Sequence, residues 1–162
     1  MVNFYLAYTS PINPPSATPV LTVPQVWAGL QRKIRFAQEF VSAITSCEVL
    51  SEEDGVVTRV VQFKPGMGAA PSAKEVVTSF GNAWVEFKQE DGSIIRNLIS
   101  DGPAGTVEDL HMTYMFEWLF PNLEEGSAEA EEQFKKSKAM AKMAVDGSIN
   151  TIREMVKDGR IK

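Results

Sequence analysis

The stretch LHMTYMFEWLF, residues 110–120, decides the fold together with Pro121, which follows it. Alternate residues in this stretch are large and apolar, and this period of two predicts a β-strand with one buried face: Leu110, Met112, Tyr114, Phe116 and Trp118. Pro121 ends the strand because proline cannot donate a backbone hydrogen bond. Residues 124–162 then read as one long helix, with Ser127 as the N-cap, acidic residues in its first turns and basic residues in its last. A strand that leads into a long helix predicts a sheet covered by that helix.

Upstream of this strand, the hydrophobic pattern predicts a series of antiparallel strands. From about residue 47 to residue 101 the period is close to two, and dipeptides typical of hairpin turns separate the apolar runs: Asp54-Gly55, Gly81-Asn82 and Asp91-Gly92. The aromatic and β-branched run FYLAYTSPI, residues 4–12, predicts one more strand near the start. We therefore expect about seven strands.

Two short helices are predicted after the first strand. The segment TVPQVWAGLQRKIRF, residues 22–36, has Thr22 as a possible N-cap and apolar residues at helical spacing: Val26, Trp27, Leu30 and Ile34. Residues 37–44, AQEFVSAI, predict the second helix. The order of elements predicts an α+β fold in a single domain, residues 1–162, with a curved antiparallel sheet wrapped around the long C-terminal helix.

Composition excludes several classes of function. The chain has 162 residues, a net charge of -5 and no cluster of basic residues, which argues against a nucleic-acid partner. It has no apolar run long enough to span a membrane. Cys47 is the only cysteine and His111 the only histidine, so neither a disulfide nor a typical zinc or iron site is expected. We predict a cytoplasmic protein, monomeric or homodimeric, that needs no metal or other cofactor.

Small residues on the long helix bear on the presence of a cavity. One face of this helix carries Phe134, Ser137, Ala141, Ala144, Ser148 and Ile152. Several of these side chains are too small to fill the space above a curved sheet, so a cavity could remain there. Alternatively, small residues let the helix approach the sheet closely. The glycine-containing loop PGMGAAP, residues 65–71, is a candidate for a lip over such a cavity.

An arginine on an apolar strand face indicates where a polar site could lie. In VVTRVVQF, residues 56–63, Arg59 shares its face with Val57, Val61 and Phe63. A symmetric connection to the next strand makes Glu75 a diagonal neighbour of Arg59. Two-residue turns further along would place Trp84, Glu86 and Asn97 on the same face. The alternative is an Arg59–Glu75 pair on the solvated face of the sheet.

This face predicts a ligand site that is mostly apolar, with a few convergent polar groups. The candidate ligand-binding residues are Arg59, Glu75, Trp84, Asn97, Tyr114 and Trp118. Arg59 could bind a carboxylate, enolate or phenolate, while Asn97 fixes the orientation of the ligand. The candidate catalytic residues are Glu75 or Glu86 as a general base, and Tyr114. His111 lies on the opposite face and is expected at the surface.

The order of motifs also resembles a known family. The segments AYTSPINPP, VWAGLQRK, AITSCEVL, NLISDGP, TYMFEW and MAKMAVDGSINTIREMVKDG are similar to the small family named after a protein of the acetylaranotin biosynthesis cluster. This family resembles the START and birch-pollen-allergen-like superfamily. The resemblance implies a helix-grip fold around an apolar cavity and, for some members, an association with natural-product gene clusters. It supplies no catalytic residues.

Three functions follow as hypotheses. The first is the binding of a small hydrophobic or aromatic molecule in an internal cavity, linked to secondary-metabolite biosynthesis. The second is a cofactor-independent cyclase, isomerase or dehydratase that acts on a natural-product intermediate. The third is a protein-interaction module, which would need an exposed apolar patch.

Overall fold

The computed structural model describes residues 1–68 and 70–162 and contains one antiparallel sheet and two helices. The sheet has seven strands in the order β1-β7-β6-β5-β4-β3-β2. The strands are β1 Val2–Pro11, β2 Ile44–Glu53, β3 Val56–Phe63, β4 Ser72–Phe80, β5 Trp84–Gln89, β6 Ile94–Asp101 and β7 Leu110–Phe120. The helices are α1 Val23–Arg35 and α2 Ala128–Lys157. The predicted α+β fold, a sheet that holds a long C-terminal helix, is confirmed.

Helix α1 begins with the predicted cap and lies close to α2. Thr22 accepts a hydrogen bond from the backbone of Gln25, whose side chain bonds back to Thr22 and completes a capping box. Gly29 faces α2, and a Cβ atom at this position would lie only 2.4 Å from Cγ1 of Ile152. The absence of a side chain at position 29 therefore allows the two helices to touch.

The second predicted helix is reduced to a single turn. Residues Ala37–Glu39 form one 3-10 turn, and the chain enters β2 at Ile44. The prediction of a helix through residues 37–44 is thus correct only for its first residues. The backbone N–H of Ile44 already bonds to the carbonyl of Val41, which closes the turn.

Helix α2 covers the inner face of the sheet and encloses the core. Ser127 caps it by accepting a hydrogen bond from the backbone N–H of Ala130, at 3.1 Å, as predicted. Its buried face meets α1 and the inner sides of β1 and β7, and includes Val145, Ile149, Ile152 and Met155. Met140 and Met143 are exposed. The core therefore fills much of the space between α2 and the sheet.

The register of the strands decides which polar side chains point inward. Arg59 lies directly opposite Glu75, rather than diagonal to it. The β4–β5 connection pairs Phe80 with Trp84 and so has three residues in its loop, not two. The odd loop length turns Trp84 and Glu86 to the outer face. The β5–β6 connection is also longer than a two-residue turn, and it reverses the orientation of the side chains a second time. The two reversals cancel, so Asn97 faces inward as expected.

Strand β2 forms one edge of the sheet and is irregular. Its pairing with β3 shifts register twice, between Ile44 and Ser46 and between Val49 and Ser51. Along the strand, three glutamates are exposed: Glu48, Glu52 and Glu53. This edge therefore combines an interrupted ladder with negative charge.

Two further expectations concern loops and membrane spans. The loop predicted as a lip, residues 65–71, includes residue 69, which lies outside the described residues. Within residues 1–68 and 70–162, neither helix is long and apolar enough to cross a membrane.

Candidate active site

Arg59 is buried at the point where β3 meets the end of α1. Its Nε and Nη2 atoms lie 2.7 and 2.6 Å from Oε2 of Glu75, and the residue is only 3% exposed. Its Nη1 donates to the carbonyl oxygens of Lys33 and Ile34, at 2.9 and 2.7 Å. The last carbonyls of a helix lack partners within the helix. Arg59 therefore caps the C-terminal end of α1.

The Arg59–Glu75 pair is enclosed by further protein groups. Oε1 of Glu75 accepts a hydrogen bond of 2.9 Å from Gln89, and the guanidinium lies 4.8 Å from the ring centre of Phe87. The alternative of a solvated surface pair is therefore wrong. Both side chains thus already have protein partners. The ligand-binding roles of Arg59 and Glu75 stay predictions.

Lys33 is a polar residue of this region that was not predicted from the sequence. It lies on the buried side of α1 and is only 6% exposed. Its Nζ donates to Oδ1 of Asn97 at 2.9 Å and to the hydroxyl oxygen of Tyr114 at 3.0 Å. Asn97 and Tyr114 are directly opposite each other on β6 and β7, so both partners rise from the same place on the sheet.

The surroundings of Lys33 disfavour its charged form. Burial lowers the pKa of this lysine to about 7, and the positive charge of Arg59 acts in the same direction. The carboxylate of Glu75 opposes part of this shift. An amine with such a pKa exists in both protonated and neutral forms near neutral pH and can therefore accept or donate a proton.

Tyr114 contributes a hydroxyl that stays protonated. Burial raises the pKa of Tyr114 above its ordinary value, and the nearby hydroxyl of Ser148 offsets part of this shift. The ring is 1% exposed and meets Phe116 edge to face at 6.2 Å. At neutral pH Tyr114 is thus a hydrogen-bond donor beside the Lys33 amine.

Three buried polar atoms on this side of the sheet have no well-formed hydrogen bond among the described residues: Nδ2 of Asn97, Oγ of Ser137 and Oγ of Ser148. A buried polar group without a partner costs about 1–3 kcal/mol. Asn97 and Ser148 both border the Lys33–Tyr114 contact. The polar group of a ligand or a water placed there would satisfy them.

Two predicted site residues lie elsewhere. Trp84 is 39% exposed and stacks on Phe80, with ring centres 5.2 Å apart. Glu86 pairs with Arg96 on the outer face, at 2.7 Å. The three-residue loop after β4 reverses their orientation, so placing them on the inner face was wrong.

The remaining aromatic and histidine predictions are placed as follows. Trp118 faces inward on β7 and is partly buried against Phe116, with ring centres 4.4 Å apart. It is four residues from Tyr114 on the same strand, about 13 Å along it. His111 is partly exposed and lies 3.8 Å from the carboxylate of Asp109. The structure therefore places Tyr114 and Trp118 on one face but at different ends of it.

A crevice opens between β1 and α2, beside the buried cluster. It has a volume of about 470 Å³ and is lined by Leu6, Ala7, Tyr8, Lys138, Ala139, Ala141 and Lys142. Tyr8 is directly opposite Tyr114 in the β1–β7 pairing, and adjacent strands are about 4.8 Å apart. At its rim, Lys142 donates to the hydroxyl of Tyr8 at 3.0 Å. The crevice thus ends one strand away from the Lys33–Tyr114 contact.

A second concavity shares Leu6 and Ala7 with the crevice. It has a volume of about 310 Å³ and lies over β1, β7 and β6, where its lining includes Tyr5, Arg96 and Met115. Neither concavity is lined by Lys33, Arg59 or Asn97. The structure therefore shows a polar cluster with a crevice beside it, and the internal cavity expected from the sequence stays a prediction.

Comparison with solved structures supports the fold assignment. The chain superposes on the Zhui aromatase/cyclase from Streptomyces sp. R1128 with a TM-score of 0.64, 13% identity and coverage of 96% of both chains. It also superposes on the di-domain ARO/CYC StfQ of the steffimycin biosynthetic pathway, with a TM-score of 0.65 and 11% identity. This match covers 96% of the chain but 52% of StfQ, so the chain spans about half of the di-domain protein. At these identities the likeness establishes the helix-grip fold.

Sequence comparison identifies the family. The Acetylaranotin biosynthesis cluster protein L of Aspergillus terreus (strain NIH 2624 / FGSC A1156) is 28% identical over 159 residues, which cover 98% of the chain and 94% of that protein. The family model described by the same words matches residues 6–159. This range includes both helices and nearly all of the sheet. The chain therefore belongs to the Acetylaranotin biosynthesis cluster protein L family.

Proposed function

We propose that this chain binds a small hydrophobic or aromatic intermediate of secondary-metabolite biosynthesis between α2 and the inner face of the sheet, and that it moves protons on that intermediate. The reaction class is that of a cofactor-independent cyclase, isomerase or dehydratase. One observation carries the proposal: the amine of Lys33 is buried and held between Asn97 and the hydroxyl of Tyr114.

The chemistry follows from these three side chains. The neutral amine of Lys33 can remove a proton from the carbon next to a carbonyl group. Tyr114, kept protonated by burial, can donate a hydrogen bond to the enolate oxygen that forms. The free N–H of Asn97 can bind a second oxygen of the same molecule. Enolisation of this kind is a step shared by cyclisations, isomerisations and dehydrations of ketones.

The crevice between β1 and α2 supports the site of binding. It has a volume of about 470 Å³, within the usual size range of small-molecule pockets. Leu6 and Ala141 give it an apolar floor, and Tyr8 borders Tyr114 across the strand pair. The name of the family and the helix-grip likeness to aromatase/cyclases support an aromatic or polyketide-like ligand.

A carrier function is the second candidate, and the crevice favours it. Lys138 places a cation beside apolar side chains, an arrangement that suits an apolar molecule with an acidic group. A carrier would use this surface and leave Lys33 as a structural residue. Binding without proton transfer distinguishes a carrier from an enzyme.

Proton exchange on a simple ketone tests the proposal. 2-Acetylnaphthalene has an apolar ring system and a methyl group whose protons exchange with D₂O through the enol. We expect the wild-type protein to accelerate this exchange, measured as loss of the methyl signal in proton NMR. Replacing Lys33 with Met should lower the catalysed rate by about 100-fold, the usual contribution of a general base.

The control is a lysine remote from the site. Lys136 is exposed on α2 and pairs with Glu132, so Lys136→Met should leave the exchange rate unchanged. Equal exchange rates for the wild-type protein and Lys33→Met would reject the proton-transfer proposal. If 2-acetylnaphthalene shifts the melting temperature but its protons do not exchange faster, the carrier function replaces it.

A further inference from the structure

The Lys33 amine has the setting of a nucleophile as well as that of a base. It is surrounded by protein on the inner face of α1, with the rings of Tyr114 and Phe87 at 4.3 and 5.8 Å. Among the described residues, ion pairs to carboxylates hold Lys74, Lys136, Lys142 and Lys157, whereas the two hydrogen-bond partners of Lys33 are neutral. A lysine without a paired carboxylate loses its proton more easily and exposes a lone pair.

The neighbours of Lys33 match the needs of a condensation with a carbonyl compound. Attack by the amine on a ketone gives a carbinolamine, whose oxygen must be protonated before it can leave as water. The hydroxyl of Tyr114 is 3.0 Å from Nζ and can deliver that proton. Oδ1 of Asn97 lies 2.9 Å from Nζ of Lys33, and Nδ2 of the same amide has no partner among the described residues. This Nδ2 is therefore placed to bind a second oxygen of the same molecule.

We propose that Lys33 forms a covalent imine with a β-dicarbonyl compound, with Tyr114 as the proton donor and Asn97 as the ligand for the second carbonyl oxygen. This inference rests on the proposed function, because it uses the same site and names the substrate class. Attack by the amine forms the C–N bond and opens the C=O π bond, and one amine proton moves to the oxygen to give the carbinolamine. The C–O bond then breaks, and one water molecule leaves. The neutral amine supplies the electron pair, Tyr114 supplies a proton to the leaving oxygen, and the nitrogen proton lost on dehydration restores Tyr114. No oxidant or reductant takes part.

The depressed pKa of Lys33 agrees with this assignment. A pKa of about 7 leaves a large fraction of the amine neutral at neutral pH, whereas an ordinary lysine is almost fully protonated. Lys136, exposed and paired with Glu132, is the reference for ordinary reactivity. The two lysines should therefore differ in their rate of reaction with a carbonyl compound.

Acetylacetone is a suitable probe because its adduct with an amine is a conjugated enaminone with a near-ultraviolet band. We expect wild-type protein at neutral pH to develop this band and to gain the mass of acetylacetone less one water. Peptide mapping should locate the adduct at Lys33, at a rate at least about 10-fold above that of Lys136, as expected from the larger neutral fraction of Lys33. This measurement needs no variant, so it remains valid if Lys33→Met does not fold.

Two variants refine the test. Tyr114→Phe keeps the ring but removes the proton donor, and should slow the formation of the adduct at Lys33. Lys136→Met should leave that rate unchanged. Modification of Lys33 no faster than that of Lys136 overturns the inference. If exchange of 2-acetylnaphthalene still depends on Lys33 in that case, the acid–base function stands and only the covalent step is lost.

Discussion

Nη1 of Arg59 lies 2.9 Å from the carbonyl oxygen of Lys33, so Arg59 holds the backbone of Lys33 in place. The side chain of Lys33 in turn reaches Asn97 and Tyr114. The two cationic residues thus have separate tasks. Arg59, paired with Glu75, fixes the end of α1, and Lys33 presents an amine that has no carboxylate partner. Arg59 therefore lies on an apolar strand face because it fixes the end of the helix that packs there.

The pH dependence of stability should reveal the buried lysine. The pKa of Lys33 falls from 10.5 to about 7 on folding, so between these values the unfolded chain binds a proton that the folded chain lacks. The free energy of unfolding should therefore rise with pH above 7, by up to about 1.4 kcal/mol per pH unit. The rise ends near pH 10, where the raised pKa of Tyr114 acts in the opposite direction.

Urea unfolding across this pH range checks the prediction. Lys33→Met removes the contribution of the lysine. Its free energy of unfolding should therefore change less with pH than that of the wild-type protein. Parallel curves for the two proteins would mean that Lys33 is charged in the folded state.

Removal of Arg59 should destabilise the fold strongly. Arg59→Met leaves Glu75 buried without its cation and removes the cap from α1, at a cost of about 3–5 kcal/mol. The additional change Glu75→Gln removes the stranded charge and should restore part of this loss. Chemical denaturation of the single and double variants measures both effects.

The outer ion pair provides the matched control. Arg96 and Glu86 are 2.7 Å apart but partly exposed, so Arg96→Met should cost no more than about 1 kcal/mol. Similar losses for Arg59→Met and Arg96→Met would show that the inner pair is not effectively buried.

Fluorescence should separate the two faces of the sheet. Trp118 faces inward beside Phe116, whereas Trp84 stacks on Phe80 on the outer face. Binding of an anilinonaphthalene sulfonate between α2 and the sheet should quench Trp118, so Trp118→Phe should remove most of the response and Trp84→Phe little of it. The reverse pattern would place the probe on the outer face.

Two glycines should respond to alanine in opposite directions. At Gly29 a new Cβ would collide with Ile152, at 2.4 Å, and Gly29→Ala should cost about 1–3 kcal/mol. Gly147 lies within α2, and a Cβ atom added there would meet no other residue within 4 Å, so Gly147→Ala should stabilise the protein by about 1 kcal/mol. Thermal unfolding distinguishes the two, and stabilisation by both changes would contradict the close contact of α1 and α2.

The fold was largely predictable because its signals are local. The alternation in β7, the caps at Thr22 and Ser127 and the turn dipeptides each report on a few neighbouring residues. The lengths of the loops were less predictable than the strands and helices. Gly81-Asn82 indicates a turn but does not show that Ala83 also belongs to the loop, and this one residue reversed the positions of Trp84 and Glu86.

The site was less predictable, because it joins elements that are far apart in the chain. Asn97 and Tyr114 were recognised on their strands, but their contact with Lys33 depends on how α1 lies across the sheet. One signal was available. Lys33 is three residues after Leu30 and seven after Val26, which places it on the buried stripe of α1. A lysine within such a stripe raises the same question as Arg59 on its strand.

Strand β2 has a consequence for the behaviour of the protein at high concentration. An unpaired edge can recruit the edge of another molecule and start aggregation. The two register shifts in β2 interrupt the row of free backbone groups, and Glu48 and Glu53 would repel the same edge of a second copy. Colloidal stability of this protein thus depends on ionised carboxylates along β2, and acidification that neutralises them removes this protection.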